Sequence, residues 1–75
     1  MSIYANVSES EVSQPGQVPA GVLFVSIKNT GASDALVNGV PLEAGQAKSY
    51  PFLGKPYTAI DYDPQGSSLR ILHIL

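Results

Sequence analysis

The chain has 75 residues, a formal net charge of −2 and no cysteine. A chain of this length forms one domain, here residues 1–75, and buries only about 60% of the surface that its unfolded state exposes. Because disulfides are excluded and a single histidine leaves little for a structural zinc site, oligomerisation is the expected source of further stability. The four Lys and Arg residues cannot build the basic face that nucleic-acid binding requires.

The N-terminal residues 2–7, SIYANV, alternate in a way that predicts a first strand, with Ile3, Ala5 and Val7 on one side. They do not combine a basic segment with an apolar one, as a secretory signal does. Elsewhere no run approaches the ~20 apolar residues of a membrane-spanning helix. The chain is therefore expected to be made in a cytoplasm and not to be a membrane protein.

Residues 8–17 carry both early glutamates and a Pro-Gly pair, which predicts an exposed loop. The next segment, 22–28, is the clearest strand, with Leu23, Val25 and Ile27 on one face. The start of this segment is apolar on both faces. Such a strand belongs in the middle of a sheet, or has one face in a core and the other in an interface.

Shorter strands follow in the middle of the chain. Residues 35–37 and 40–42 flank Asn38-Gly39, the strongest short-range hairpin signal. Pro41 cannot donate a hydrogen bond to a neighbouring strand, so it restricts its own strand to a sheet edge. After a further turn, residues 47–52 alternate again.

Two strands complete the pattern, at residues 57–63 and 68–75, with a four-residue turn at 64–67 between them. The last segment, SLRILHIL, has Arg70 as its only charged residue, and an exposed strand of this kind would aggregate. It is therefore predicted to lie centrally in the sheet or to pair with a neighbouring subunit. The interface candidates on its two sides are Leu69, Ile71, Leu72, Ile74 and Leu75.

The segments add up to about six or seven short strands separated by turns, which is typical of an all-β domain. We expect a small antiparallel β-sandwich, immunoglobulin-like or jelly-roll-like, with a small barrel as the alternative and almost no helix. Only 13% of the residues are charged, against about 25% in an average soluble domain. Sparse charge indicates that neighbouring molecules cover part of the surface, and so it favours a homo-oligomer.

Two features resemble functional sites but lack a required residue. Residues 61–66 space oxygen ligands as a calcium loop does, but the twelfth position of such a loop is a glutamate and here it is Leu72. The aspartates are expected to cap a tight turn instead. His73 lies in the most apolar strand and no Gly-x-Ser-x-Gly segment supplies a nucleophile, so a structural or interface histidine is expected. These features predict no metal, no cofactor and no enzymatic activity.

Aromatic residues concentrate late in the sequence. Aromatic rings beside polar loops can form a platform for sugar stacking or protein contact. The ligand-platform candidates are Tyr50, Tyr57 and Tyr62. The alternative is that these rings pack in the core from alternate strand positions.

The segments VSIKNTG, ALVNGVPLEAGQAKSYPF and YTAIDYDPQGSSLRI together resemble short reading frames found among the structural genes of tailed bacteriophages. The resemblance covers residues 21–74. It implies a small β-structured virion protein that decorates a capsid or forms part of a tail or fibre. Such a protein would be made in the cytoplasm of a bacterial host, and its partners would be capsid or tail proteins.

The turns at residues 29–31 and 42–45 also resemble those of immunoglobulin-like modules of bacterial surface proteins. A surface module would need a signal sequence and neighbouring domains, and neither is expected here, so the virion is favoured. The first hypothesis is therefore a non-enzymatic structural component of a phage virion that acts through oligomeric β-strand interfaces. The alternative is a β-sandwich module that binds carbohydrate or a host surface.

Overall fold

The computed structural model describes residues 6–75 and contains eight strands. In chain order they are β1 (Val7–Val12), β2 (Gly16–Val18), β3 (Phe24–Asn29), β4 (Ala35–Val37), β5 (Val40–Leu42), β6 (Ala47–Tyr50), β7 (Ile60–Asp63) and β8 (Leu69–Ile74). Residues 6–75 contain no helix. The all-β prediction is confirmed.

The strands form two antiparallel sheets of four strands each. The first sheet has the order β1-β8-β3-β6 and the second has the order β2-β7-β4-β5. Buried aliphatic side chains from both sheets fill the space between them: Val18, Val22, Val25, Ile27, Ala35, Val37, Leu42, Ile60, Leu69 and Ile71. Neither sheet closes on itself, so the structure is the expected sandwich and not the barrel.

Strands β1 and β2 stand where the sequence predicts an exposed loop, so that prediction is wrong. β1 is an edge strand whose first five residues are exposed, so it lacks the apolar alternation that identifies a strand. It forms because all six of its residues pair in register with β8, from Val7 opposite Ile74 to Val12 opposite Leu69. Of the predicted first strand, residues 2–5 lie outside the described part of the chain, and Val7 belongs to β1.

Three predicted strands are shorter than expected at one end. β3 begins at Phe24, two residues later than predicted. Val22 lies before the strand, with its side chain buried in the core. β7 begins at Ile60, three residues later than predicted, and the segment before it bonds to the segment before β3. Tyr57 N donates to Val22 O at 2.9 Å, and Gly21 N donates to Tyr57 O at 2.9 Å. β6 ends at Tyr50, immediately before Pro51.

The predicted hairpin at Asn38-Gly39 is confirmed. Both residues have positive φ angles, 52° and 78°, as a tight hairpin turn requires. Pro41 lies in β5 at the edge of the second sheet, where a missing amide donor costs nothing. The turn at 64–67 is also present, closed by a 2.9 Å hydrogen bond from Ser67 N to Pro64 O.

Asn29 fixes the corner at the end of β3. Its side chain is fully buried and makes four hydrogen bonds: Nδ2 donates to Ser33 O and Leu42 O, and Oδ1 accepts from Gly31 N and the Ser67 hydroxyl. A buried amide is tolerated because its donors and its acceptor all find partners. This one residue therefore joins β3, the following loop, β5 and the turn before β8.

Candidate functional site

The C-terminal strand β8 lies in the interior of the first sheet, between β1 and β3. This confirms the central position and the alternation expected of it. Leu69 and Ile71 face the second sheet and are 0% and 3% exposed. They are therefore core residues that cannot contact a second subunit, and their prediction as interface residues is wrong.

The other side of β8 faces outward. Leu72 and Ile74 point to the outer face of the first sheet and are only half-buried. Leu75 follows the inner-face alternation beyond the end of the strand and is 48% exposed. Of the predicted interface residues, Leu72 and Ile74 thus share one face, and Leu75 lies apart from it.

Neighbouring strands extend this face into an apolar patch. Ile74 lies between Val7 of β1 and Phe24 of β3, opposite both in register, and Leu72 is the next outward residue along β8. We call Val7, Phe24, Leu72 and Ile74 the outer patch. Val7 is 61% exposed, so the patch reaches the sheet edge. It brings together residues that are far apart in the sequence.

The sequence alone did not identify Val7 and Phe24 as members of this surface. The sequence pattern groups Val7 with Ile3 and Ala5 in a first strand, and it shows only that the start of the 22–28 strand, which includes Phe24, is apolar on both faces. The apolar, outward-facing Phe24 was the available signal. Its neighbours on the face depend on the pairing register, which connects β1, β8 and β3 across more than sixty residues of chain.

A charged row crosses the same face at the other end of the strands. Glu11 lies opposite Arg70, and Arg70 lies opposite Lys28 on its other side. The other cross-strand neighbour of Lys28 is Ala47 of β6. Glu11 also accepts a 2.8 Å hydrogen bond from the Thr30 hydroxyl at Oε1. The outer face of the first sheet is therefore apolar at the Ile74 end and charged at the Arg70 end, and between them Glu9 and Ser26 flank Leu72.

The three candidate tyrosines do not form a single exposed platform. All three are half-buried and pack against the core, as the alternative interpretation expected. Tyr50 and Tyr57 meet edge to face, with ring centroids 5.9 Å apart, and the Tyr57 hydroxyl donates to Pro51 O. Tyr62 lies on β7, where its ring packs over Gly16; a Cβ on residue 16 would be 2.8 Å from the Tyr62 hydroxyl oxygen.

His73 is half-buried at the open edge of the sandwich. It follows Ile71 on the inward-facing side of β8 and lines a cleft of about 130 Å³ with Ser10, Gln17 and Tyr62. A cleft of this size is far smaller than the roughly 300–1,000 Å³ of a typical small-molecule site. His73 thus lies on an interior strand beside a cleft that the edge strands β1 and β2 also line, and its structural or interface role stays a prediction.

Asp61 and Asp63 project from the outer face of the second sheet and have separate partners. Asp61 Oδ1 accepts a 2.5 Å hydrogen bond from Gln17 Nε2. Asp63 Oδ1 accepts a 3.0 Å bond from Gln65 N and so caps the turn before β8, as predicted. Within residues 6–75, no group of three or more potential metal-ligating side chains comes together.

Comparison of the chain with known protein families, with curated proteins and with solved structures finds no match. In the part of the chain that the structure describes, no helix is long and apolar enough to cross a membrane.

Proposed function

We propose that this protein is a non-enzymatic structural component of a tailed-bacteriophage virion, a capsid decoration or a tail or fibre protein. It assembles as a homo-oligomer through the outer face of its first sheet and then binds a capsid or tail protein. The support for a virion is the resemblance of residues 21–74 to short phage reading frames. The support for assembly is the group of exposed and half-buried apolar side chains on the outer face of the first sheet.

The observation that carries the assembly is the outer patch. Val7, Ile74 and Phe24 form one apolar row across three strands, and Leu72 extends it along β8 between Glu9 and Ser26. An exposed apolar cluster of this kind is typical of a protein contact. Its burial contributes about 25 cal/mol for each Å² of apolar area. A modest contact is sufficient where many copies bind side by side, because effective concentration then strengthens each contact.

Solution mass tests the assembly. Light scattering over a concentration series is expected to show an oligomer whose population rises with concentration. Deleting the last four residues is a poor probe, because Leu72 to Ile74 pair with both β1 and β3 and their loss would unfold the first sheet. Single substitutions on the sheet surface are the cleaner choice.

Leu72 and Leu36 form a matched pair for this purpose. Both are half-buried leucines on strands, Leu72 on the outer face of the first sheet and Leu36 on the outer face of the second. Leu72→Ser is expected to shift the protein to monomer, and Leu36→Ser is expected to leave the mass unchanged. A wild-type protein that stays monomeric at all concentrations, or equal effects of the two substitutions, would remove the support for this surface.

The virion role needs a separate test. An antiserum raised against the purified protein is expected to label intact phage particles, recovered from a lysate of the source and purified on a density gradient, in electron microscopy. The same serum is expected to label particles at a fixed position, because a structural component occupies equivalent sites. Particles that carry no label, while the serum detects free protein in the same lysate, would contradict a virion location.

A further inference from the structure

We propose that two copies pair face to face through their first sheets, about a two-fold axis that runs parallel to the strands and passes over β8. This inference rests on the proposed function and identifies the partner surface, which is the same face of a second copy. Such a contact is self-complementary and closes at two subunits. The dimer would be the unit from which a larger assembly is built.

The direction of the axis follows from the two ends of the face. Rotation about an axis parallel to the strands keeps each level of the sheet opposite the same level of its partner, so the outer patch lies on the outer patch. Rotation about an axis across the strands would place the outer patch on the charged row. That arrangement would bury charges against apolar side chains, which is strongly unfavourable.

The position of the axis follows from the order of charges together with the spread of the outer patch over β1, β8 and β3. Across the sheet the charged row reads Glu11 on β1, Arg70 on β8 and Lys28 on β3. An axis over β8 exchanges β1 with β3, so that Glu11 lies opposite the partner's Lys28, and symmetry repeats the pair. Lys28 has Arg70 and Ala47 as its cross-strand neighbours, so neither neighbour in its own sheet is acidic. In the dimer, the partner's Glu11 supplies the carboxylate opposite Lys28.

Arg70 is the one residue of the row that this arrangement places opposite its own copy. Each Arg70 has Glu11 of its own chain beside it, which offsets part of the repulsion. Packed sheets are about 10 Å apart, so two long arginine side chains have room to diverge. An axis between β8 and β3 is worse, because it would set Arg70 against Lys28 twice. An axis between β1 and β8 would pair Glu11 with the partner's Arg70 twice, but it would leave Phe24 and Lys28 of β3 outside the contact. Lys28→Glu separates the two positions, since only the axis over β8 predicts that it weakens the dimer.

Charge reversal tests the pairing by sedimentation velocity at low salt. Lys28→Glu and Glu11→Lys each create two like-charged pairs across the interface and are expected to weaken the dimer about tenfold or more. An equimolar mixture of the two variants is expected to form heterodimers with near wild-type affinity, because both cross pairs are then opposite in charge. Glu43→Lys, an exposed residue on the turn before β6, is the control of equal charge change and is expected to have no effect.

Each variant is first checked for a cooperative unfolding transition, because Glu11→Lys also removes the acceptor of the Thr30 hydroxyl. Lys28→Glu introduces an acid beside Arg70 and is expected to keep the fold, because Lys28 is exposed. Arg70→Gln is a further probe: it removes the repulsion on the axis, and the wild-type dimer is expected to become tighter.

The outcomes separate the two proposals. If the wild-type protein associates and Leu72→Ser prevents it, but the mixture of charge variants does not restore the dimer or Arg70→Gln weakens it, the two-fold axis over β8 is wrong and the outer face still stands. If the wild-type protein is monomeric, both proposals lose their support. Restoration by mixing, at the mass of a dimer, supports the axis.

Discussion

The side-chain oxygen of Asn29 accepts a 2.6 Å hydrogen bond from the hydroxyl of Ser67, a residue 38 positions further along the chain. Both residues are buried. The bond joins the end of β3 to the turn that leads into β8, so it fixes the relative position of two of the three strands that carry the outer patch. The corner that it forms is the most densely hydrogen-bonded part of the described structure outside the strands.

Asn29→Ala is expected to lower the free energy of unfolding by about 2–4 kcal/mol, because it leaves buried partners without a hydrogen bond. Ser67→Ala removes only one of the four bonds and is expected to cost about 1–2 kcal/mol. Urea unfolding at one protein concentration measures both. In the double variant the two losses are expected to be less than additive, and strict additivity would contradict the coupling.

Gly31→Ala is expected to destabilise the same corner by about 3 kcal/mol or more through steric overlap. A Cβ at position 31 would lie 2.0 Å from the Ser67 hydroxyl oxygen and 2.7 Å from Ser68 N. Removing the hydroxyl with Ser67→Ala does not rescue the variant, because the backbone contact remains. Ser33→Ala, in the same loop, keeps its backbone acceptor and is the control; a similar loss there would show that the loop and not the overlap is responsible.

Gln65 and Asn38 provide a reciprocal test of backbone conformation. Both have a φ of 52°, a left-handed conformation that asparagine adopts more readily than glutamine. Gln65→Asn is expected to raise the free energy of unfolding by about 0.5–1 kcal/mol, and the melting temperature with it. Asn38→Gln is expected to lower both by a similar amount. Shifts of the same sign in the two variants would contradict this explanation.

Tyr50 and Tyr57 differ in what their hydroxyl groups contribute. The Tyr50 hydroxyl is buried without a hydrogen-bond partner, whereas the Tyr57 hydroxyl donates to Pro51 O. Tyr50→Phe is therefore expected to be neutral or to stabilise by up to about 1 kcal/mol, and Tyr57→Phe to destabilise by about 1 kcal/mol. Both variants keep the edge-to-face ring contact, so chemical denaturation compares the hydroxyl groups alone.

The sequence predicted those parts of the fold that depend on local chemistry. The Asn38-Gly39 hairpin and the edge position of Pro41 follow from backbone preferences of single residues, and the alternation of β8 follows from its own side chains. β1 was not predicted because its polar residues carry no local strand signal and its pairing with β8 joins opposite ends of the chain. The corner role of Asn29 was missed for the same reason, since its partner Ser67 is close only in the folded state.

The candidate site shows the same division. Leu72 and Ile74 were predicted as interface candidates, and the structure places both on the outer face of the first sheet, where an interface role stays a prediction. Leu69 and Ile71 were grouped with them because apolar residues on the two sides of a strand look alike until the position of the second sheet is known. The neighbours that complete the patch, Val7 and Phe24, depend on register, which one strand cannot specify.

The central position of β8 determines the order in which this protein can fold during synthesis. β1 and β3 leave the ribosome early but do not pair with each other; both pair with β8, the last strand to be made. The first sheet therefore cannot be completed until residues 69–74 have emerged: β3 can pair with β6 before then, but β1 has β8 as its neighbour in the sheet and stays unpaired. Folding of this domain is expected to be slow for its size, because its strand pairings join distant parts of the chain.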